Sequence, residues 1–449
     1  MVITTIRFPF WKPIGKETSS MSHPVTASTS EQRSKFGHLW QSGMIFTAAS
    51  FVAGLGNYAF QAIISRNLAG TGEFGLANST LSFTQFLSLP VLIATFAVTH
   101  YIARFHSAGD SEQLNSLIAG CRRFLFRLTI GGSILALLLI KPLSQFFNFP
   151  RLTLLAAVLC SVWAGLWGSF GTTLCQGLGW FKRLALIALL IMVLRLTFGG
   201  IATSLSPTAE FVVLATAVGT SANLILLFWR KELVKGSLHP ESPWTSDFRR
   251  YLLVAAACVG GSYFFLQGDQ LVAKRHFSES DLDAFAAAGV LARALPLTVG
   301  PLLTVLFTHR SGEGTEGKAS DHLKLLVLYA GGLLAGALML YFLRELCLKI
   351  IGRNTPLAAD MILPFAFTMV FAGLLNALAL WALASRWLGT ALSYGLLGVL
   401  YWTTLLIFGT SPDRILKLMP MLAGTGFVIL LVLWLIAAKR TQSVLNFAD

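Results

Sequence analysis

The sequence predicts an all-α polytopic membrane protein of about twelve transmembrane helices in two six-helix lobes. Three observations predict it. Of 449 residues, 55% are hydrophobic and only 12% are charged, whereas a soluble chain carries about a quarter charged residues. The apolar residues come in blocks of roughly bilayer length rather than in one-sided stripes. The longest polar interruption, at positions 230–250, divides these blocks into two equal sets. Lipid offers the backbone no hydrogen-bond partner, so such blocks must be helices. The weaker alternation of a membrane β-barrel is absent.

The first six expected spans are Gly43–Ile64, Leu76–Ile102, Phe124–Ile140, Leu152–Gln176, Leu184–Leu205 and Phe211–Trp229. The second six are Tyr251–Val272, Phe285–Phe307, Leu323–Leu343, Met361–Leu383, Ala391–Phe408 and Ile415–Ala438. Residues 1–40 are rich in Ser, Thr, Pro and charge, which predicts a disordered tail without a cleavable signal. The expected organisation is therefore this tail, an N-lobe at 41–230, a linker at 231–250, a C-lobe at 251–440 and a short tail at 441–449.

The halves resemble each other in collinear order. Tyr58 and Phe60 in the first span answer Tyr263 and Phe265 in the seventh, and Pro90 answers Pro296. Gly131-Gly132 answers Gly331-Gly332, and Trp163-Ala-Gly-Leu166 answers Phe371-Ala-Gly-Leu374. An even repeat of six keeps both halves in the same orientation, with the pseudo-twofold axis along the membrane normal. Transporters built this way bind substrate between the halves and rock to open alternate sides.

The net charge is +14. In a soluble chain that would suggest nucleic acid; here the basic residues sit mostly in loops, so no nucleic-acid partner is expected. They favour the side holding both termini by roughly two to one, which places both termini in the cytoplasm. The five cysteines show no metal-type spacing, and no P-loop, HExxH or GxSxG motif occurs. The chain is thus expected to be neither an enzyme nor a binder of metal or cofactor.

Charge deep in a span is costly, about 2.5–3.5 kcal/mol at the helix centre, so such residues must face protein or water. Arg195 lies midway along the fifth span, Arg293 inside the eighth, and Asp269 toward the outer end of the seventh. With the polar Gln61, Asn78 and Gln85 they are the candidate substrate-binding residues of a central cavity. Two readings stay open. Arg195 and Arg293 could form a cationic patch for a pyrophosphate, which guanidinium grips with paired hydrogen bonds. Asp269 and Arg293 could instead form a structural ion pair between adjacent helices.

The turn Ile64-Ser-Arg-Asn-Leu-Ala-Gly-Thr-Gly-Glu-Phe-Gly-Leu76 resembles the "ARxLGxxxFG" turn of O-antigen type polysaccharide flippases. Those belong to the multidrug/oligosaccharidyl-lipid/polysaccharide (MOP) exporter superfamily. Cys175-Gln-Gly-Leu-Gly-Trp-Phe-Lys-Arg183 is similar to that family's "QGxxxFK" cytoplasmic turn. The usual Leu-Gly is Leu68-Ala69-Gly70 here, and the counterpart from Arg275 to Phe285 lacks the glycines. The resemblance implies a V-shaped pair of lobes in a bacterial inner membrane. It implies outward flipping of undecaprenyl-pyrophosphate-linked oligosaccharide for lipopolysaccharide or other surface glycans, with H+ or Na+ as a possible coupling ion. The alternatives are a cation-coupled multidrug antiporter of the same superfamily, a fourteen-span lipid II flippase type, and a membrane-embedded glycosyltransferase or polymerase. Antiporters favour acidic residues in the N-lobe cavity, whereas the first six spans hold none.

Cysteine tags test the orientation. Ser237 and Asp449 should label only from the cytoplasm, and Gly72 and Ser278 only from outside. Outside labelling of Ser237 would reverse the assignment.

Overall fold

In the computed structural model, residues 29–228, 246–313, 319–353, 355–384 and 387–446 are described. The linker expected at 231–250 falls largely outside them, as do the first 28 residues. Residues 42–449 form one compact unit, and residues 1–41 another. No strand occurs among the described residues, and twelve long helices account for nearly all of them.

The first six are α1 (Thr29–Asn67), α2 (Glu73–Ala108), α3 (Ser111–Phe146), α4 (Leu152–Gly177), α5 (Phe181–Leu205) and α6 (Ala209–Ser221). A 3₁₀ turn, Ala222–Leu224, and a short helix, Ile225–Phe228, prolong α6. The second six are α7 (Ser246–His276), α8 (Glu279–Glu313), α9 (Ala319–Phe342), α10 (Pro356–Ala384), α11 (Leu388–Phe408) and α12 (Pro412–Asn446). After α9 the chain bends by 75° into the short helix Arg344–Ile350. Among the described residues, eight helices are long and apolar enough to cross a membrane, and nine if that bent pair is one span. The remaining three, α1, α3 and α8, cover the expected spans in position.

α1 begins at Thr29, within the stretch 1–40 that composition assigns to a tail. Most helices also outrun their apolar blocks, because a helix entering water keeps its hydrogen bonds until a cap ends it. Asp110 caps α3 in this way, accepting from the Gln113 N–H at 3.0 Å.

The helices pack in the same order in both halves. In the first, α2 packs on α4, α4 on α6, and α6 on α5. Asn57 and Asn67 then bond α1 to α5. In the second, α8 packs on α10, α10 on α12, α12 on α11, and α11 on α7. This is the arrangement that a six-plus-six repeat requires. One apolar core runs through both halves, with Phe60, Phe74 and Phe83 of the first and Phe265, Phe285 and Phe365 of the second.

Pro90 and Pro296 do not share an environment. Pro90 is exposed on α2 and Pro296 is buried in α8. Small residues set the closest crossings, as membrane helices require. A Cβ on Gly398 would fall 2.8 Å from Gly261 Cα, so α11 meets α7 nearly backbone to backbone. A Cβ on Gly75 would lie 2.7 Å from the Leu282 carbonyl carbon, at the contact between halves.

Gly398→Leu should therefore force α7 and α11 apart and lower the detergent melting temperature. Gly389→Leu, at an open position on the same helix, should leave it nearly unchanged. Equal melting of the two variants would contradict the close packing.

Candidate functional site

The turns α1–α2, α3–α4, α5–α6, α7–α8 and the segment before α10 gather on one side of the molecule. There the two halves are joined by polar contacts. Arg353, following the short helix, donates to Ser65 Oγ at 3.1 Å and to the Leu68 carbonyl at 3.0 Å, both in the α1–α2 region. It also pairs with Asp283 of α8 at 2.8 Å and sits over the Phe74 ring. Asp283 in turn accepts from the Gly75 N–H at 2.7 Å. Arg275 donates to the Phe146 carbonyl, and Asn148 donates back to the Arg275 carbonyl.

The contacts continue along α2 and α7. Gln270 donates to Ser79 Oγ at 3.3 Å, Ser82 bonds Gln267, and the Tyr263 hydroxyl donates to the Ser82 carbonyl at 2.8 Å. Next to the clasp lies a polar cavity of about 380 Å³, lined by Gly70, Thr71, Gly72, Glu279, Asp283 and Arg353. Within the first half, Glu73 accepts two bonds from Arg151 and one from the Ala209 N–H. Arg151 Nε is 2.9 Å from Glu210. The motif Ile64–Leu76 is therefore one of the pieces of the first half that the second half grips. Sequence reasoning singled out that motif but missed its partners. Asp283 stood in the quoted counterpart stretch, and Arg353 was one loop charge among many.

The two deep arginines have different surroundings. Arg293 pairs with Asp269 at 2.6 Å and donates Nε–H to the Leu266 carbonyl at 2.8 Å. Both residues are buried, Asp269 completely. The structure thus forms the ion pair between adjacent helices. Asp269 Oδ1 and the buried Tyr401 hydroxyl have no partner. Arg195 is half-buried, and among the described residues no carboxylate pairs with it. It donates to Asn57 Oδ1 at 2.7 Å, lies 4.2 Å from the Phe60 ring centroid, and keeps a buried Nε without a partner.

The sequence grouped six residues into one cavity, and the structure distributes them. Gln61 is buried with Oε1 unpartnered. Asn78 is buried and spends one donor on the Phe74 carbonyl of its own helix. Gln85 is exposed on α2. Arg195 joins Asn57 of α1, while Arg293 joins Asp269 in the other half. Neither arginine lines the polar cavity at the clasp. Among the described residues, no group of acidic, His or Cys side chains is placed to hold a metal ion.

No family model and no curated protein sequence matches the chain. Solved membrane-protein structures do match its fold. One is the inward-facing conformation of a multidrug resistance MATE family transporter of the MOP superfamily, at TM-score 0.63 and 16% identity. That match covers 91% of this chain and 99% of the other. Lipid II flippase MurJ, in an inward closed conformation, matches at TM-score 0.64 and 13% identity over 90% of this chain and 93% of the other. A MATE transporter of Vibrio cholerae matches at 0.56 and 17% identity, over 91% and 98%. The chain therefore has the fold these multi-pass membrane proteins share.

Removing one member of a buried pair costs about 3–5 kcal/mol, because the other charge stays buried alone. Arg293→Ala should sharply lower the level of folded protein, and adding Asp269→Ala should restore much of it. Folded protein is read by fluorescence-detected size exclusion. No rescue by the double variant would contradict the pairing.

Proposed function

We propose that the chain is an alternating-access flippase for undecaprenyl-pyrophosphate-linked oligosaccharide, serving surface polysaccharide assembly from a bacterial cytoplasmic membrane. One observation carries the reading: Arg195 is a cation held within a membrane helix and, among the described residues, no carboxylate neutralises it. Such a charge persists where it meets an anion or water. Asn57 and Phe60 hold the guanidinium in place, and its buried Nε has no hydrogen-bond partner among the described residues. Among the described residues, the helices of the first half offer no buried acid that would compete for it.

In this reading Arg293 serves second. Its charge is taken by Asp269 in the closed arrangement, and it reaches substrate only when that pair opens. The moving units are residues 41–230 and 251–440, both termini lie in the cytoplasm, and the clasp closes the outer side. Membrane lipids surround it, and H+ or Na+ is the coupling ion.

The unpartnered Oδ1 of Asp269 favours a second reading, a cation-coupled antiporter of small molecules. Its mark would be drug efflux driven by a cation gradient in proteoliposomes, with no glycan requirement.

Glycan export in cells, normalised to membrane protein, tests the first. Arg195→Ala should abolish export while the protein still inserts. Arg195→Lys keeps the charge but loses the forked geometry, so export should be partial. Normal export by the alanine variant would end the assignment.

A further inference from the structure

On the side away from the clasp, the halves meet around an apolar groove of about 320 Å³. Its walls come from α2, α3 and α4 of the first half and α7 of the second, among them Ala94, Phe124, Leu125, Phe170, Leu252 and Ala256. Tyr101 packs against Phe248 beside it, with ring centroids 5.2 Å apart and planes tilted by 57°. The threonines in the wall do not offer polarity. Thr95 donates to the Val91 carbonyl at 3.0 Å and Thr173 to the Ser169 carbonyl at 2.7 Å. The groove opens where Phe124 and Leu253 are exposed, at 39% and 58%.

Basic residues interleave with this apolar wall on both helices. Arg122 and Arg123 lie between Cys121 and Phe124 on α3, and Arg249 and Arg250 lie between Phe248 and Leu252 on α7, next in sequence to the groove's lining residues. Asp247 is the one acid in these two stretches of sequence, so the balance is positive. A cleft that is apolar inside and cationic beside it fits a hydrocarbon chain that ends in an anion.

We infer that this groove holds the isoprenoid tail of the transported lipid, with its pyrophosphate met by Arg123, Arg249 and Arg250 before it passes to Arg195. The inference rests on the flippase reading above and adds where the lipid is held. A tail between α2 and α7 touches both halves, so its presence shifts their equilibrium as they rock. Arginines on two facing helices suit the two phosphates of a pyrophosphate, whereas an ordinary phospholipid carries one.

The test uses the full chain in nanodiscs of phosphatidylethanolamine and phosphatidylglycerol. The probe is farnesyl pyrophosphate with a benzophenone at the far end of its chain. Adducts should map to peptides covering positions 90–98, 117–125 and 248–256. Unlabelled undecaprenyl pyrophosphate should suppress them about tenfold, and excess phosphatidylglycerol should not. Ala94→Trp should fill the groove and remove the adducts. The exposed pair Arg249→Glu with Arg250→Glu should weaken probe binding about tenfold without disturbing folding.

Adducts elsewhere, or equal displacement by phosphatidylglycerol, would overturn the inference, the latter marking a site for ordinary lipid. Full labelling of a folded Ala94→Trp protein would do the same. Glycan export separates this from the function itself. Normal export with no groove labelling rejects the tail site alone. Groove labelling without glycan export in any condition rejects the glycan assignment and keeps the lipid site.

Discussion

Every polar group placed in the membrane interior must find its partner within the protein, since hydrocarbon supplies none. The backbone meets this demand by becoming helix almost everywhere. Side chains meet it locally where they can. Thr80, Thr84 and Ser88 on α2 each donate to the carbonyl four residues back, as do Thr129 on α3 and Thr203 on α5. These hydroxyls donate nothing to neighbouring helices, although Thr203 also accepts from Asn67 of α1. The groups that cannot be satisfied this way are the few with an informative position: Arg195, Gln61, Asp269 and Arg293.

The two arginines show how differently one residue type can be accommodated. Arg293 is neutralised within its own half, so it secures α7 against α8. Arg195 receives only an amide oxygen and an aromatic face, which orient a guanidinium but do not cancel its charge. The first is therefore part of the scaffold in this arrangement, and the second is the electrostatic feature that a ligand can read.

Helices were legible in the sequence because apolar blocks of bilayer length permit little else. The order of the spans followed from the polar breaks, and the repeat from matches such as Trp163–Leu166 with Phe371–Leu374. Site grouping was less legible. Depth in a span says that Arg195, Arg293 and Asp269 must avoid lipid, but not which neighbour each meets. That depends on how helices far apart in sequence rotate against one another. Asp269 and Arg293 could be paired on paper because their helices are consecutive. Arg353 with Ser65 could not, since nearly three hundred positions separate them. The same holds for the groove, whose walls come from four helices of both halves.

The clasp between the halves is written largely in main chain. Gly75 offers its N–H, and Leu68, Ser82, Phe146 and Arg275 offer their carbonyls. Side-chain replacement at these positions leaves the main-chain groups in place, although at Arg275 and Ser82 it also removes a side-chain bond of the clasp. At Leu68 and Phe146 an alanine scan would leave the bonding carbonyl in place and assign the interaction to the residues reaching across, whereas at Gly75 the added Cβ would fall 2.7 Å from the Leu282 carbonyl carbon. The grip between the halves is thus half hidden from genetics: its donors and acceptors on one side survive nearly any substitution that leaves the helices where they are.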